Sequence, residues 1–220
     1  MGGTEILPIG DEWQLFAMGK CGLLIRNRQP VATELFVRLA KSCRSEFGAE
    51  CLSESIPAYD SLVLKFARSV DVPSVVARVK RLVQSLGDAA GVSGKLHEIA
   101  VDFSTGLDWD LAESESGLDR DTFVETLCAE EYSVAMLGFL PGFVYLAGLP
   151  DTLHLPRRAS PRRAVGAGSV AIGGGQCGIY RLPSPGGWQI LGQANFECHL
   201  SIEDLLQSVC FGDRVRFIAG

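Results

Sequence analysis

The stretch Gly173–Gln193, GGGQCGIYRLPSPGGWQILGQ, constrains the fold more than any other part of the chain. Seven of its 21 residues are glycine, and they stand beside two large rings, Tyr180 and Trp188. Glycine weakens helices and strand interiors, so such a run fits tight turns or places where something approaches the backbone closely. Two readings follow: the glycines turn the strands of a small barrel, or they open the main chain to a ligand. The segments YSVAMLGF, GSVAIGG, GIYRL, WQILGQ and DRVRFIAG are short apolar runs bounded by Gly, Pro or polar residues. From Tyr132 onward they predict the strands of an antiparallel barrel or sandwich.

The first half has a different grammar. WQLFAM, GLLIRN and SLVLKFA read as short strands, and VATELFVRLAKSCRSEF between the last two places Leu35, Phe36 and Leu39 on one helical face. The clearest helix runs from Pro73 to Leu86, with Val75, Val76, Val79, Leu82, Val83 and Leu86 in one stripe and Pro73 in its first turn. Residues 1–90 therefore predict a small α/β sandwich. The small, polar GDAAGVSGK at 87–95 predicts a linker. The second domain then spans 95–220, for an α+β chain overall. Within it LHEIAVDF alternates as a half-buried strand, with Ile99, Val101 and Phe103 on one face. Two short helices follow, with Asp108 and Asp119 as expected N-caps and Gly117 ending the first.

Composition narrows the function classes. A net charge of −6 gives no support for nucleic-acid binding by the whole chain. No apolar run reaches the roughly 18 residues of a membrane span. The first residues lack the basic start and apolar core of a secretory signal, and MGGTEI is a poor myristoylation signal. Seven cysteines, an odd number with no C-x-x-C pair, fit free thiols in a reducing cytoplasm, where the protein is expected. His97, His154 and His199 are far apart, and Cys198 and His199 as strand neighbours would face opposite ways, so no metal site is expected.

Charge is locally uneven. From Ser133 to Phe196 the only acid is Asp151, against Arg157, Arg158, Arg162, Arg163 and Arg181. Four of these arginines, stiffened by Pro156 and Pro161, either grip an anionic substrate or form a solvated or partner-docking run. In LGFLPGFVYLAGLP, Phe139, Phe143 and Tyr145 surround a Pro141-Gly142 turn, as core residues or as the aromatic wall of a pocket. Gln176 follows two glycines whose amides are open to a carbonyl or carboxylate. Ser184 sits between prolines without a nucleophile elbow, and Cys177 reads as a packed thiol. No phosphate loop with lysine is present, since the last lysine is Lys95.

Taken together, MLGFLPGFVYLAGLP, LPRRASPR, GSVAIGGGQCGIY, SPGGWQILG and FGDRVRF, in that order, resemble the carboxyltransferase-domain proteins typified by the B-type subunit of 5-oxoprolinase and by KipI, also labelled allophanate hydrolase subunit 1. The resemblance is ordered from about Tyr132 to Phe217 and looser before it. It implies an N-terminal α/β domain followed by a cyclophilin-like β-barrel, with a homologous C-type subunit and a large A-type subunit as partners. Such complexes open 5-oxo-L-proline to L-glutamate at the expense of ATP, which would enter through the assembled complex. KipI-type members instead inhibit a sensor histidine kinase, and fused relatives serve biotin-dependent urea carboxylation, the one alternative that calls for biotin. The substrate-binding positions carried over are Phe139, Pro141, Gly142, Phe143, Tyr145, Arg157, Arg158 and Arg162, then Gly174, Gly175, Gln176, Tyr180, Ser184, Gly186, Gly187 and Trp188. No catalytic residue is assigned. Cys177 replaces the family's usual threonine and Arg181 its frequent proline. The expectation is that guanidinium groups and main-chain amides meet at one rim of the barrel around a small anion.

Overall fold

Strands with one apolar and one open face build the first half of the chain. The structure, a computed structural model, describes residues 5–9, 12–28, 33–86, 94–194 and 209–220. Residues 87–93 of the expected linker, together with Cys198 and His199, lie outside them. The chain divides into two units, Met1–Ser93 and Gly94–Gly220.

In the first unit β1 (Glu5–Ile9), β2 (Trp13–Ala17), β3 (Gly22–Asn27), β4 (Leu52–Ala58) and β5 (Ser61–Phe66) form one antiparallel sheet in the order β1-β2-β3-β5-β4. Alternation buries Leu15, Leu23, Ile25, Leu62, Leu64 and Phe66 on one face. α1 (Thr33–Phe47) packs on the sheet at β4 and β5, and α2 (Val72–Ser85) packs against α1. Trp13 of β2 packs edge-on to Phe36 of α1 at 5.6 Å, and Phe47 of α1 edge-on to Phe66 of β5 at 5.4 Å. The expected stripe of α2 is buried through Val75, Val76, Val79 and Val83. Asp71 caps the helix by accepting from the Ser74 amide at 3.1 Å, and Pro73 occupies the first turn. The two strands that the sequence did not predict, β1 and β4, are the two edges of the sheet. Both carry a proline, Pro8 and Pro57, and β4 is rich in Ser and Glu, as edges that avoid further pairing are.

Among the described residues, the second unit is a closed barrel with two α-helices. β6 (Leu96–Asp102) is followed by α3 (Trp109–Ser116) and α4 (Arg120–Ala129), then by β7 (Tyr132–Leu137) and β8 (Val144–Ala147). A two-stranded ribbon of β9 (Arg162–Val165) and β12 (Ser184–Gly186) is interleaved with β10 (Ser169–Ile172) and β11 (Cys177–Ile179), and β13 (Gln189–Ala194) and β14 (Arg214–Ala219) complete the unit. The barrel order is β10-β11-β8-β7-β14-β6-β13, closing back onto β10. It is mixed where a fully antiparallel barrel was expected, because β6 and β14 run parallel while every other neighbouring pair is antiparallel. A parallel pair needs a long connection, and β6 and β14, the first and last strands of the unit, have the rest of the unit between them.

One carboxylate fixes the register of that parallel pair. Asp213, just before β14, accepts from the Lys95 amide at 2.9 Å through Oδ1. Its Oδ2 meets His97 Nε2 and the Cys210 amide, each at 2.9 Å. Burial pushes the Asp213 carboxyl up, but the Cys210 amide, His97 and the Lys95 amide together hold it below its ordinary value. A depressed folded-state pKa contributes stability that is complete above the ordinary carboxylate value of about 4 and is lost as pH falls through the lower one. Asp213→Asn is expected to cost about 1–3 kcal/mol at neutral pH. It should also flatten the acid limb of stability in urea titrations, and parallel acid limbs for the two proteins would contradict this role.

Candidate functional site

The barrel wall made by β8, β11, β10 and β13 has two working faces. Val144 and Leu146, Val170 and Ile172, and Leu191 point inward and fill the barrel. Their sequence neighbours Phe143, Ala171 and Ile190 join Tyr180, Trp188 and Val165 of the β9–β12 ribbon in a second apolar cluster, with Tyr145 packed against it. Pleating sends alternate residues to opposite faces, so this second cluster lies on the outside of the wall rather than at a barrel rim.

The glycines make room for its rings. A Cβ on Gly178 would stand 2.8 Å from the Val144 carbonyl, 2.9 Å from the Trp188 ring and 3.0 Å from Phe143. One on Gly173 would stand 2.5 Å from Trp188. At Gly186 it would run into the Tyr180 hydroxyl. The glycine-rich stretch is therefore the backbone side of an aromatic cluster. Phe143 is its hub, with ring centroids at 4.6 Å from Tyr145, 4.9 Å from Tyr180 and 5.7 Å from Trp188.

Above these rings opens a cavity of about 540 Å³. That volume falls within the roughly 300–1,000 Å³ of small-molecule sites. Of the residues expected from the sequence, Phe139, Phe143, Tyr145, Tyr180 and Trp188 form its aromatic side, and Arg157, Arg158, Ser184, Gly186 and Gly187 its polar side. Leu140, Pro161 and Pro185 complete the lining. Phe139 is held by a three-residue turn in which the Leu140 amide donates to the Gly138 carbonyl at 2.8 Å. Its φ of +68° is strained for a side-chain-bearing residue, and the ring remains 59% exposed at the cavity edge.

Six expected residues do not line it. Pro141 and Gly142 stay in the β7–β8 turn, where Gly142 takes φ +78°. The Gly174 amide, expected to face a ligand, donates to the Leu155 carbonyl at 2.7 Å, and Gly175 lies against the His154 ring. Gln176 takes part only from the flank, its Oε1 accepting from Arg157 at 3.2 Å. Arg162 stands behind the lining. Cys177 is fully buried inside the barrel, where burial pushes its thiol up to about 12, so it is a packing residue.

Electrostatics single out a residue that the sequence did not. Asp108 heads α3 but makes no side-chain cap bond. Instead its Oδ1 accepts from Arg162 at 2.6 Å and Arg158 at 3.1 Å, and its Oδ2 from the Ile190 amide at 2.6 Å. Its arginine partners lie 50 and 54 residues along the chain, so local sequence gives no sign of them. One carboxylate faces two guanidinium groups, and Arg157 adds a third whose partners are the neutral Gln176 and, at 5.6 Å, the Trp188 ring. The site is thus net positive. Burial raises the Tyr145 and Tyr180 hydroxyls while Arg157 pulls them back, and both remain protonated donors at neutral pH. Ser184 lines the cavity but is only 6% exposed, and its buried Oγ has no hydrogen-bond partner among the described residues.

Gly178→Ala tests the close packing directly. The added methyl meets backbone and two rings, an overpacking expected to cost about 1–3 kcal/mol and to shift the Trp188 fluorescence. Unchanged stability and an unchanged spectrum would mean that the wall yields freely.

Comparison with known proteins agrees with this architecture. Residues 13–201 match the family described as carboxyltransferase domain, subdomain C and D. The chain is 32% identical over 207 residues to the B-type subunit of 5-oxoprolinase from Escherichia coli O157:H7, a match covering 92% of this chain and 94% of the relative. Over 90 residues, 40% of this chain and 41% of the relative, it is 56% identical to the B-type subunit of 5-oxoprolinase from Haemophilus influenzae (strain ATCC 51907 / DSM 11121 / KW20 / Rd). The crystal structure of TTHA0988 superimposes with a TM-score of 0.72 at 30% identity over 90% of this chain, which spans 40% of that longer one. The two-unit fold, the ordered motifs around the cavity and a family match over most of the sequence lead to one conclusion: the chain belongs to the carboxyltransferase domain, subdomain C and D family.

Proposed function

We propose that this chain is one component of an ATP-dependent 5-oxoprolinase and that its outer-face cavity binds 5-oxo-L-proline for opening to L-glutamate, together with a homologous C-type subunit and a large A-type subunit. The observation that carries the reading is a net-positive, aromatic-walled cavity whose lining holds a serine hydroxyl unpartnered among the described residues. The names of the relatives support it. 5-Oxo-L-proline is a small flat ring bearing a carboxylate at one end and a lactam C=O and N–H at the other. Arg157 and Arg158 suit the carboxylate, since forked guanidinium donors bind it bidentately. Trp188 and Tyr145, 5.6 Å apart, offer apolar faces to the ring. The Ser184 hydroxyl, buried without a partner among the described residues, would turn into the cavity to donate to the lactam oxygen or accept from the lactam N–H.

The chemistry is then shared. Among the described residues the cavity lining contains no imidazole and no carboxylate, and burial keeps its two tyrosines protonated, so it presents no ready general base at neutral pH. A donor at the lactam oxygen, where negative charge develops as the ring opens, is what this chain contributes. Its residues do not fit ATP: no lysine follows Lys95, and the Gly174 amide is bonded to Leu155. ATP is therefore assigned to the partner subunits, and no step at this cavity runs through it.

Reconstitution with the cognate A-type and C-type subunits, with glutamate release from 5-oxo-L-proline and ATP as readout, tests the proposal. Activity should require all three chains. Arg157→Ala should raise KM about 10–100-fold, the scale of a lost charged hydrogen bond, while assembly persists. No turnover by the full mixture, or equal turnover without this chain, would refute it.

A further inference from the structure

We infer that Asp108 is a positioning residue of the cavity: it never reaches the ligand but fixes the Arg158 guanidinium, with Arg162 as a strut behind it, and so sets the place and orientation of the ligand's anionic end. The inference rests on the reading of the cavity as an anion site, and the residue has no role in any of the motifs that identify the family.

The geometry makes Asp108 a fixed point. Its Oδ2 accepts from the Ile190 amide, and the Ile190 carbonyl in turn accepts from the amides of Leu107 at 2.9 Å and Asp108 at 3.1 Å. The carboxylate is thereby tied to β13 on the wall that also carries the aromatic cluster, and it is only 7% exposed. The remaining oxygen gathers Arg158 and Arg162. These two differ in setting. Arg162 has a 19% exposed side chain and also reaches the Trp188 carbonyl at 3.4 Å, so it is a strut behind the lining. Arg158 has a 36% exposed side chain and lines the cavity. Its main chain is held as well, its amide donating to the Gly187 carbonyl at 2.8 Å. With both ends restrained, Arg158 offers its remaining N–H groups in one orientation. A ligand then meets an ordered fork and does not bear the entropy cost of ordering a long side chain.

A purely structural Asp108 would affect stability alone, and a charge-tempering Asp108 would weaken anion binding, so its loss would tighten it. A positioning Asp108 does neither. In the free wild-type chain, arginine side-chain NMR should show hindered guanidinium rotation for Arg158 and Arg162, and free averaging there would overturn the inference before any variant is made. Asp108→Asn keeps the size and can still accept from Ile190. In the folded variant those signals should average, while Arg78, bonded to Glu46 in the first unit, stays as it was. Affinity for 5-oxo-L-proline, and for inorganic phosphate as a simple anionic probe, should fall about 10–100-fold, and in the reconstituted complex the loss should appear in KM with kcat nearly kept. If the single variant does not fold, Asp108→Asn combined with Arg162→Met removes the pair without adding net charge and still leaves Arg158 untethered, with the same expected loss. Unchanged or tighter anion binding in either variant would overturn the inference. A wild-type complex that binds phosphate here but does not turn over 5-oxo-L-proline would sink the function reading and leave this one standing.

Discussion

Everything in the second unit depends on a sheet wall thin enough to carry side chains on both faces. β8, β10, β11 and β13 send Val144, Leu146, Val170, Ile172 and Leu191 into the barrel, and the intervening positions outward to Phe143, Tyr145 and Ile190. Trp188 and Phe143 come within van der Waals reach of the backbone at Gly178, where a methyl group would collide with both. Glycine here is a packing requirement, because the aromatic cluster presses on the main chain. The cavity floor is consequently rigid: Phe143 meets Tyr180 and Trp188 edge-on and Tyr145 at a tilt, with the barrel core behind them.

On that floor the polar groups are arranged by charge. A buried carboxylate is costly unless it is paired and hydrogen-bonded, and Asp108 is both, with two arginines and a main-chain amide. The surplus of positive charge falls on the cavity side, where Arg157 has only neutral partners among the described residues. Neutral phenols, an unpartnered serine hydroxyl buried at the lining and this positive surplus suit, under the proposed function, a ligand with an anionic end and an amide-like end. They do not describe a site that generates its own nucleophile. The proposed function accordingly gives binding and orientation to this chain and the rest of the chemistry to partner subunits.

The fold was legible where a single face or cap decides it. The valine stripe of α2, the alternation of β6 and the Asp119 cap on the Thr122 amide follow from local periodicity and local bonds. The edge strand β4 was hidden because its Ser and Glu leave few apolar residues, and β1 because Pro8 interrupts a run of only five residues. The parallel β6–β14 pair was hidden because register between distant strands leaves no local trace. Of the site, the residue types were readable and their arrangement was not. Arg157, Arg158 and the aromatic loop converge as the motifs implied, yet the Gly174 amide is bonded to Leu155 and the meeting place is the outer wall. Asp108 read as a helix cap since its local sequence fits one, and only three-dimensional contacts across 50 positions or more reveal its work.

The most direct measurement of the central claim is the position of bound 5-oxo-L-proline in a crystal structure of the assembled complex. Its carboxylate should lie against Arg157 and Arg158, its ring on Trp188 and Tyr145, and its lactam edge at Ser184. Substrate density elsewhere, with this cavity filled by side chains of a partner protein, would contradict it and make the arginine face an assembly surface.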